Sequence, residues 1–173
     1  YAEFQQIVQR KLAQERIEKV EEEQPEPLAD QSFLENLLDA DISSIVKLKK
    51  SMDEDKLLYV VDRISQAENI CITGNFFDFG LIHWFAEWLN MALGKAEMLM
   101  PDNSQSYSRL AKVVKGDLVI AFAFPRYTKQ LDGLLSTAKS KGAEIIILTD
   151  STESPAMKYA DTSLIVTVTS NLN

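Results

Sequence analysis

The sequence predicts an α/β fold: a three-layer α/β/α sandwich with a five-stranded parallel sheet, preceded by N-terminal helices. The first observation is that short apolar runs alternate with helical apolar patterns from residue 69 onward, which is the spacing of βαβ units. The second is the unbroken apolar run from Leu118 to Phe124, because a strand covered by helices on both faces carries such a run. Together they indicate parallel strands joined by right-handed crossovers.

Helices are predicted before the first strand. Residues 1–20 carry apolar side chains at helical spacing, and the acidic stretch 21–27, with its two prolines, predicts an exposed linker. Asp30 is suited to cap a second helix that extends through Val46, and Asp53 is suited to cap a third. The apolar face of the third helix is predicted to comprise Leu57, Val60, Val61, Ile64 and Ala67.

Strands and helices alternate in the rest of the chain. The predicted strands are 70–73, 96–100, 118–124, 143–149 and 163–169. The predicted helices are 82–93, 107–114, 155–160 and the segment that Thr128 caps and Gly142 stops. We therefore expect a helical linker or dimerisation segment in residues 1–68 and an α/β domain in residues 69–173, with a further helix needed beyond Asn173 to cover the sheet.

Composition and charge limit the possible functions. The chain is 46% hydrophobic and 25% charged, which is typical of a globular domain. Its net charge of -8 repels phosphate backbones, so we expect no nucleic-acid binding by this stretch itself. The single cysteine excludes an internal disulfide framework and favours a reducing, cytoplasmic location, and Cys71 is expected to be a buried, inert thiol. No apolar run is long enough for a membrane span.

The carboxyl ends of parallel strands meet at one edge of a sheet, where open α/β folds bind ligands. That edge gathers the candidate ligand-binding residues Gly74, Asn75, Asp78, Asp102, Ala123, Arg126, Tyr127 and Thr128. A bound phosphate needs free N–H groups, hydroxyls and a cation, and Arg126, Thr128 and the helix N-terminus near Thr128 supply these groups. The alternative is that Arg126 is an ordinary surface residue and Thr128 only a helix cap.

Other side chains with chemical potential are few. His83, the only histidine, lies mid-helix without a second histidine or cysteine nearby, so we expect no metal or cofactor and favour a structural or surface role. Phe76 and Phe77 are interpreted either as rings that close the pocket or as core residues. Trp84 and Trp88 lie one helical turn apart and are interpreted either as core residues or as a dimer-interface stripe.

Several short motifs follow one another along the chain. They are Phe124-Pro125-Arg126-Tyr127-Thr128, Lys141-Gly142-Ala143, Ile147-Leu148-Thr149-Asp150, Ser154-Pro155 and Ala160-Asp161. In this order and spacing the chain resembles the SIS (sugar isomerase) domain, which has a flavodoxin-like fold. More narrowly, it resembles the effector-binding half of the RpiR-family (MurR/RpiR) bacterial transcriptional regulators. The start, Tyr1-Ala2-Glu3-Phe4, resembles the exit from that family's N-terminal helix-turn-helix domain.

The resemblance implies a phosphosugar-sensing effector domain of a DNA-binding regulator, and no enzymatic activity. The implied partners are a sugar phosphate or related effector, DNA only through the separate helix-turn-helix domain, and further copies in a homodimer or homotetramer. Ligand binding would then shift the dimer geometry. The alternatives are a phosphosugar isomerase, with His83 and Glu87 as candidate proton-transfer groups, and a degenerate SIS domain that serves only for dimerisation.

Two loops depart from the pattern of the resembled family. Phe76 and Asp78 stand where SIS domains usually carry a glycine and a serine. Ala123 and Pro125 stand where two serines usually precede the threonine. The lost hydroxyls remove hydrogen-bond donors to a phosphate, and the Asp78 carboxylate opposes one. We therefore expect weaker binding of the usual ligand, another binding pose, or another ligand.

Overall fold

The computed structural model describes residues 33–101 and 103–166. The predicted helix in 1–20, the acidic linker, the Asp30 cap, the ligand candidate Asp102 and the end of the last predicted strand lie outside the described residues. None of the helices in the described ranges is both long and apolar enough to cross a membrane.

Within residues 33–69, two helices precede the sheet: α1 is Phe33–Ser51 and α2 is Glu54–Gln66. The carboxylate of Asp53 caps α2 as predicted, because it accepts a hydrogen bond from the Lys56 N–H at 3.0 Å. No residue of α1 is buried. The chain divides into two compact units within α1, and the unit that begins at Leu48 contains α2 and the whole sheet.

The remaining elements alternate along the chain as predicted. The strands are β1 (Ile70–Gly74), β2 (Ala96–Met98), β3 (Leu118–Phe122), β4 (Glu144–Thr149) and β5 (Thr162–Ile165). The helices are α3 (Phe79–Leu93), α4 (Ser104–Leu110) and α5 (Lys129–Ser140), with 3-10 turns at Phe76–Asp78 and Pro155–Tyr159. Gly94 ends α3 in the left-handed conformation, with φ +67°, which is why a glycine stops that helix.

The five strands form one parallel sheet in the order β2-β1-β3-β4-β5. This confirms the predicted fold class. Gly74 pairs with Phe122, and Phe122 pairs with Leu148, so the carboxyl ends of the three central strands are level at one edge of the sheet. The loops that follow these strands therefore start from neighbouring points.

Helices cover both faces of the sheet. On one face, α2 and α3 pack through Val60, Ala67, Ile82 and Ala86. On the other face, α4 and α5 pack through Leu110, Leu131, Leu134, Leu135 and Ala138. Every residue of β1 and β3 is buried. Burial on both faces is the physical reason for the continuous apolar run that marked β3 in the sequence.

Some predicted details are wrong. Val61 was expected on the apolar face of α2 but is 54% exposed, because only the stripe that includes Val60 and Ile64 faces the sheet. The strand predicted to continue to Phe124 ends at Phe122. One further ladder bond follows, from the Ala123 N–H to the Leu148 carbonyl at 2.8 Å, before the chain leaves the sheet ahead of its proline.

Candidate functional site at the carboxyl edge of the sheet

The candidate site is built on the loops that follow β1, β3 and β4. At its base, β1 and β3 approach each other closely at Gly74. A Cβ atom on Gly74 would lie 2.7 Å from the Phe122 carbonyl oxygen and 2.7 Å from Ile82 Cδ1. Such contacts are far inside van der Waals distance, so glycine is required here by packing. Gly74 is thus placed at the edge as predicted, and its role in the structure is to let the strands meet.

A hydrogen-bonded link joins the β1 and β3 loops. Asn75 is only 2% exposed, and its Nδ2 donates to the Phe124 carbonyl oxygen at 3.3 Å. The Thr128 hydroxyl donates to Asn75 Oδ1 at 3.0 Å and accepts from the Leu131 N–H at 3.3 Å. The second bond confirms Thr128 as the N-cap of α5. Because the single hydroxyl proton of Thr128 is already donated to Asn75, it is not free to bind a phosphate in this conformation.

Arg126 is exposed and has an unusual backbone. Its φ of +78° makes it the only non-glycine residue with a positive φ within the described ranges. Its guanidinium carbon lies 4.7 Å from the centroid of the Phe77 ring, a cation–π contact that draws the side chain toward the β1 loop. No carboxylate among the described residues forms an ion pair with Arg126. Its positive charge therefore remains available to an anion at this edge.

Tyr127 connects the β3 loop to the β4 loop. Its hydroxyl donates to Asp150 Oδ1 at 3.1 Å. The Thr149 hydroxyl donates to the Ala123 carbonyl oxygen at 2.7 Å, which ties the same two loops together below the tyrosine. Burial raises the pKa of the Tyr127 phenol, and the neighbouring Asp150 carboxylate adds to the increase. The phenol therefore stays protonated near neutral pH and acts as a hydrogen-bond donor.

Two further candidates, Ala123 and Asp78, offer no side-chain hydrogen-bond donor to a ligand. Ala123 is fully buried, so it contributes only backbone. Asp78 is half-buried at the N-terminus of α3, and burial raises the pKa of its carboxyl while hydrogen bonds to Asn75 oppose the increase. A carboxyl with a raised pKa is less fully ionised at mildly acidic pH than an exposed one, so its repulsion of an anion is reduced there.

The structure brings in hydroxyls that the sequence analysis did not single out. Thr73 Oγ1, at the end of β1, and Ser154 Oγ, after β4, are buried and lack a hydrogen bond of normal geometry among the described residues. Ser154 lies beside the Tyr127 phenol. Unpaired buried hydroxyls are uncommon in folded proteins. The available signal was their position at strand ends, but a hydroxyl's lack of a partner can be detected only in three dimensions.

The aromatic side chains of this region point to solvent. Phe76 is 68% exposed and Phe77 is 67% exposed, so the interpretation of these two as core residues is wrong. Trp84 and Trp88 are also more than half exposed, with ring centroids 6.3 Å apart, which excludes the core interpretation for them. His83 is exposed on the same side of α3, in a shallow groove between these rings. Its predicted surface position is confirmed.

Comparison with known proteins identifies the family. A model of the SIS domain matches residues 80–171, which is more than half of the chain. The chain belongs to the SIS domain family. The matched range starts at the N-terminus of α3 and includes the β3 and β4 loops, so the SIS match contains Arg126, Tyr127 and Thr128. No curated protein sequence matches the chain.

Solved structures of SIS domains share this fold. The sugar isomerase domain of an RpiR transcription factor from Sphaerobacter thermophilus is 24% identical, with a TM-score of 0.70, over 78% of this chain and 75% of that one. The NanR protein of Vibrio vulnificus, solved in complex with ManNAc-6P, is 19% identical, with a TM-score of 0.68, over 81% of this chain and 53% of that one. This chain thus spans about half of NanR.

A third similar structure points to a different activity. A hypothetical protein from Methanococcus jannaschii, for which a 3-hexulose-6-phosphate isomerase function has been inferred, is 26% identical. Its TM-score is 0.65, over 77% of this chain and 73% of that one. SIS domains with this architecture therefore include both regulator domains and proteins described as isomerases.

Proposed function

We propose that this chain is the phosphosugar-sensing effector domain of a DNA-binding transcriptional regulator of the RpiR family. The observation that carries the proposal is the exposed, unpaired charge of Arg126 at the candidate site. This cation is exposed, has no ion-pair partner among the described residues, and is held over Phe77 at the carboxyl edge of the sheet. A sugar phosphate is the class of ligand that a lone guanidinium at this edge suits.

The N-terminus of α5 supplies the second element of the proposed phosphate site. This helix has 12 residues and begins directly after Thr128. The first N–H groups of a helix point out of its end and carry a partial positive charge. An anion between Arg126 and this helix end would meet a full and a partial positive charge together. This arrangement offsets the loss of the two serines that SIS domains usually place in the β3 loop.

The sugar moiety requires polar groups beyond the phosphate site. The Tyr127 phenol and the unpaired Ser154 hydroxyl lie next to each other on the neighbouring side of the edge. The Tyr127 phenol oxygen can accept a hydrogen bond from a sugar hydroxyl, because its own proton is donated to Asp150. The Ser154 hydroxyl is buried, so it does not reach a ligand in this conformation. The proposal therefore assigns the phosphate to Arg126 and the α5 N-terminus, and the sugar to Tyr127.

The placement of the candidate proton-transfer groups supports a regulator over an isomerase. An isomerase needs a base that is held near the carbon atoms from which it moves protons. The two candidate groups, His83 and Glu87, are both exposed in the groove on the outer side of α3, between tryptophan rings. This placement gives neither group a fixed, water-excluding site. Isomerase activity is the second candidate function for this chain, because such a function has been inferred for the similar protein from Methanococcus jannaschii.

The remaining parts of the proposal concern assembly. A regulator of this type works as a cytoplasmic homodimer or homotetramer, and its DNA contacts come from a helix-turn-helix domain outside this sequence. The exposed stripe of Trp84 and Trp88 supports self-association, since adjacent aromatic residues on a surface are typical of interfaces. Sugar phosphate binding would regulate only if it favoured one geometry of that assembly over another.

A thermal-shift assay tests the ligand. The panel consists of hexose and amino-sugar 6-phosphates, including ManNAc-6P, with the unphosphorylated sugars as controls. A ligand at a hundred times its Kd stabilises the fold by about 2.7 kcal/mol. For a chain of this size that corresponds to an increase in Tm of roughly 5 to 10 °C. We expect a shift with phosphorylated sugars only.

Variants decide between the alternatives. Arg126→Ala should abolish the shift, whereas Lys112→Ala, which removes an exposed cation at the opposite edge of the sheet, should preserve it. A shift that survives Arg126→Ala would refute the proposed phosphate site. Absence of any shift would favour a module that only dimerises. Interconversion of aldose and ketose phosphates, followed by chromatography, would favour the isomerase.

A further inference from the structure

Two phenylalanine rings of the β1 loop stand in water beside the proposed phosphate site. Phe76 is 68% exposed and Phe77 is 67% exposed, and their ring centroids lie 6.0 Å apart in an edge-to-face arrangement. A single exposed apolar side chain is common on a protein surface. Two large rings in contact with each other at a ligand site form an apolar patch, and such a patch marks a surface that binds something.

The backbone of the β1 loop holds these rings in place. They lie in the 3-10 turn Phe76–Asp78, which begins directly after the buried Asn75. The Asp78 N–H donates to the Asn75 carbonyl oxygen at 3.0 Å. The Asn75 side chain is hydrogen-bonded to Phe124 and Thr128 of the β3 loop. The rings are therefore exposed on an anchored turn, at a defined position relative to the β3 loop.

Arg126 joins the rings to the proposed phosphate site. Its guanidinium carbon lies 4.7 Å from the centroid of the Phe77 ring. A cation–π contact uses the π-face of the ring and none of the five N–H donors of the guanidinium as a hydrogen bond. A phosphate can therefore bind these N–H groups while Phe77 stays in contact with the same side chain. A ligand with its phosphate on Arg126 would then have an aromatic surface directly beside it.

The polar and apolar groups of the edge lie on opposite sides of Arg126. Because β3 lies between β1 and β4, its loop lies between the loops of those two strands. On the β4 side, the Tyr127 hydroxyl donates to Asp150 at 3.1 Å, and its oxygen can accept a hydrogen bond from a ligand. On the β1 side, Asn75 and Thr128 are bonded to each other, and the exposed groups are phenyl rings. A ligand at this edge meets a hydrogen-bonding group on one side and an apolar surface on the other.

We propose that the effector is a phosphorylated sugar that carries an apolar substituent, and that Phe76 and Phe77 bind this substituent. The inference rests on the proposed function, since it takes the phosphate to lie at Arg126. The interplanar angle of the two rings is 80°, so they form a corner and not one flat surface. A sugar ring can lay its C–H face on only one of them. An aryl or alkyl group next to the sugar would cover the other and remove apolar surface from water.

Isothermal titration calorimetry with paired ligands tests this inference. The probes are glucose 6-phosphate and its phenyl α- and β-glucosides, which differ from it by a phenyl group on the anomeric oxygen. The two anomers sample two directions in which that group can point. We expect at least one glucoside to bind the native chain about fivefold more tightly than glucose 6-phosphate does, which is the range of a good aromatic contact.

Variants of the exposed rings locate the source of this preference. Phe76→Ala should reduce the ratio of the two Kd values to less than about twofold, whereas Phe76→Tyr keeps a ring and should preserve the ratio. Met91→Ala is the matched control, because Met91 is 69% exposed but lies near the C-terminal end of α3, away from the carboxyl edge of the sheet. All three substitutions change exposed side chains, so circular dichroism should show a native fold in each.

The outcomes separate this inference from the proposed function. Equal Kd values for the three probes, with binding lost in Arg126→Ala, would overturn the inference and leave sugar phosphate sensing in place. A preference that survives both Phe76→Ala and Phe77→Leu would come from other groups and would overturn it too. Weaker self-association of Phe76→Ala in analytical ultracentrifugation, with an unchanged Kd ratio, would show that the rings contact another copy instead. Absence of all binding, together with an unchanged Tm across the thermal-shift panel, would refute both proposals.

Discussion

The hydroxyl of Thr128 joins two loops of the candidate site, and its removal should destabilise the fold. In Thr128→Ala, the buried Oδ1 of Asn75 loses the hydrogen bond that it accepts at 3.0 Å. The same change removes the N-cap bond to the Leu131 N–H at 3.3 Å. Both losses reduce the free energy of unfolding, because no other described residue bonds to either polar group.

The size of the effect follows from these two contacts. A buried acceptor left without a partner costs about 1 to 2 kcal/mol. The cap bond is long, so its loss belongs at the low end of the usual range, about 0.5 kcal/mol. Together they predict a decrease of about 2 kcal/mol in the free energy of unfolding, or roughly 4 to 8 °C in Tm for a chain of this length.

Urea unfolding followed by circular dichroism measures this loss. Thr128→Ser keeps the hydroxyl and should stay within about 0.5 kcal/mol of the native protein. Thr137→Ala is the matched control, because the Thr137 hydroxyl bonds only to the Gly133 carbonyl on the exposed side of α5. A loss below 0.5 kcal/mol for Thr128→Ala, or an equal loss for Thr128→Ser, would refute the assigned role of the hydroxyl.

Three further experiments test other parts of the molecule. Gly74→Ala should lose about 2 to 3 kcal/mol in urea unfolding, since its Cβ would meet the Phe122 carbonyl at 2.7 Å, whereas Gly80→Ala has open space and should be neutral or stabilising. Burial raises the pKa of the Asp78 carboxyl above its ordinary value of 3.8, so ionisation of this group lowers the free energy of unfolding as the pH rises above 3.8. Asp78→Asn should therefore raise the free energy of unfolding more at pH 7 than at pH 4. Burial also raises the pKa of Cys71 to about 12, so DTNB should label the thiol in urea but not in the native protein, and rapid native labelling would contradict its burial.

The fold could be predicted because its signals are local. The apolar run of β3, the cap at Asp53 and the stop at Gly94 each act within a few residues. The exposure of Val61 could not be predicted in the same way, because helical periodicity places apolar residues on a broad face and does not say how much of it the sheet covers. The exposure of Phe76 and Phe77 could not be predicted either, because the apolar character of a loop residue does not show whether another element covers it.

The candidate site was predicted only in its outline. The order of strands brought Gly74, Asn75 and Thr128 to one edge, which follows from parallel topology alone. The bond between Asn75 and Thr128 spans 53 residues and depends on the rotamers of both side chains, so no sequence pattern reveals it. The left-handed backbone of Arg126 is equally hidden, since arginine has no preference for that conformation.

The link between Asn75 and Thr128 constrains how a ligand could signal. A phosphate held by Arg126 and backbone N–H groups alone would leave the link intact, and it would act on the β1 loop only through the contact of Arg126 with Phe77. A phosphate that also recruits the Thr128 hydroxyl proton must release Asn75, whose side chain is buried in the loop that leads into α3 through Asp78. Both modes change the energy of the β1 loop, and a ligand regulates only through such a difference between states. Under the proposed function, the ligand would therefore act on the β1 loop either by drawing Arg126 away from Phe77 or by competing with Asn75 for Thr128.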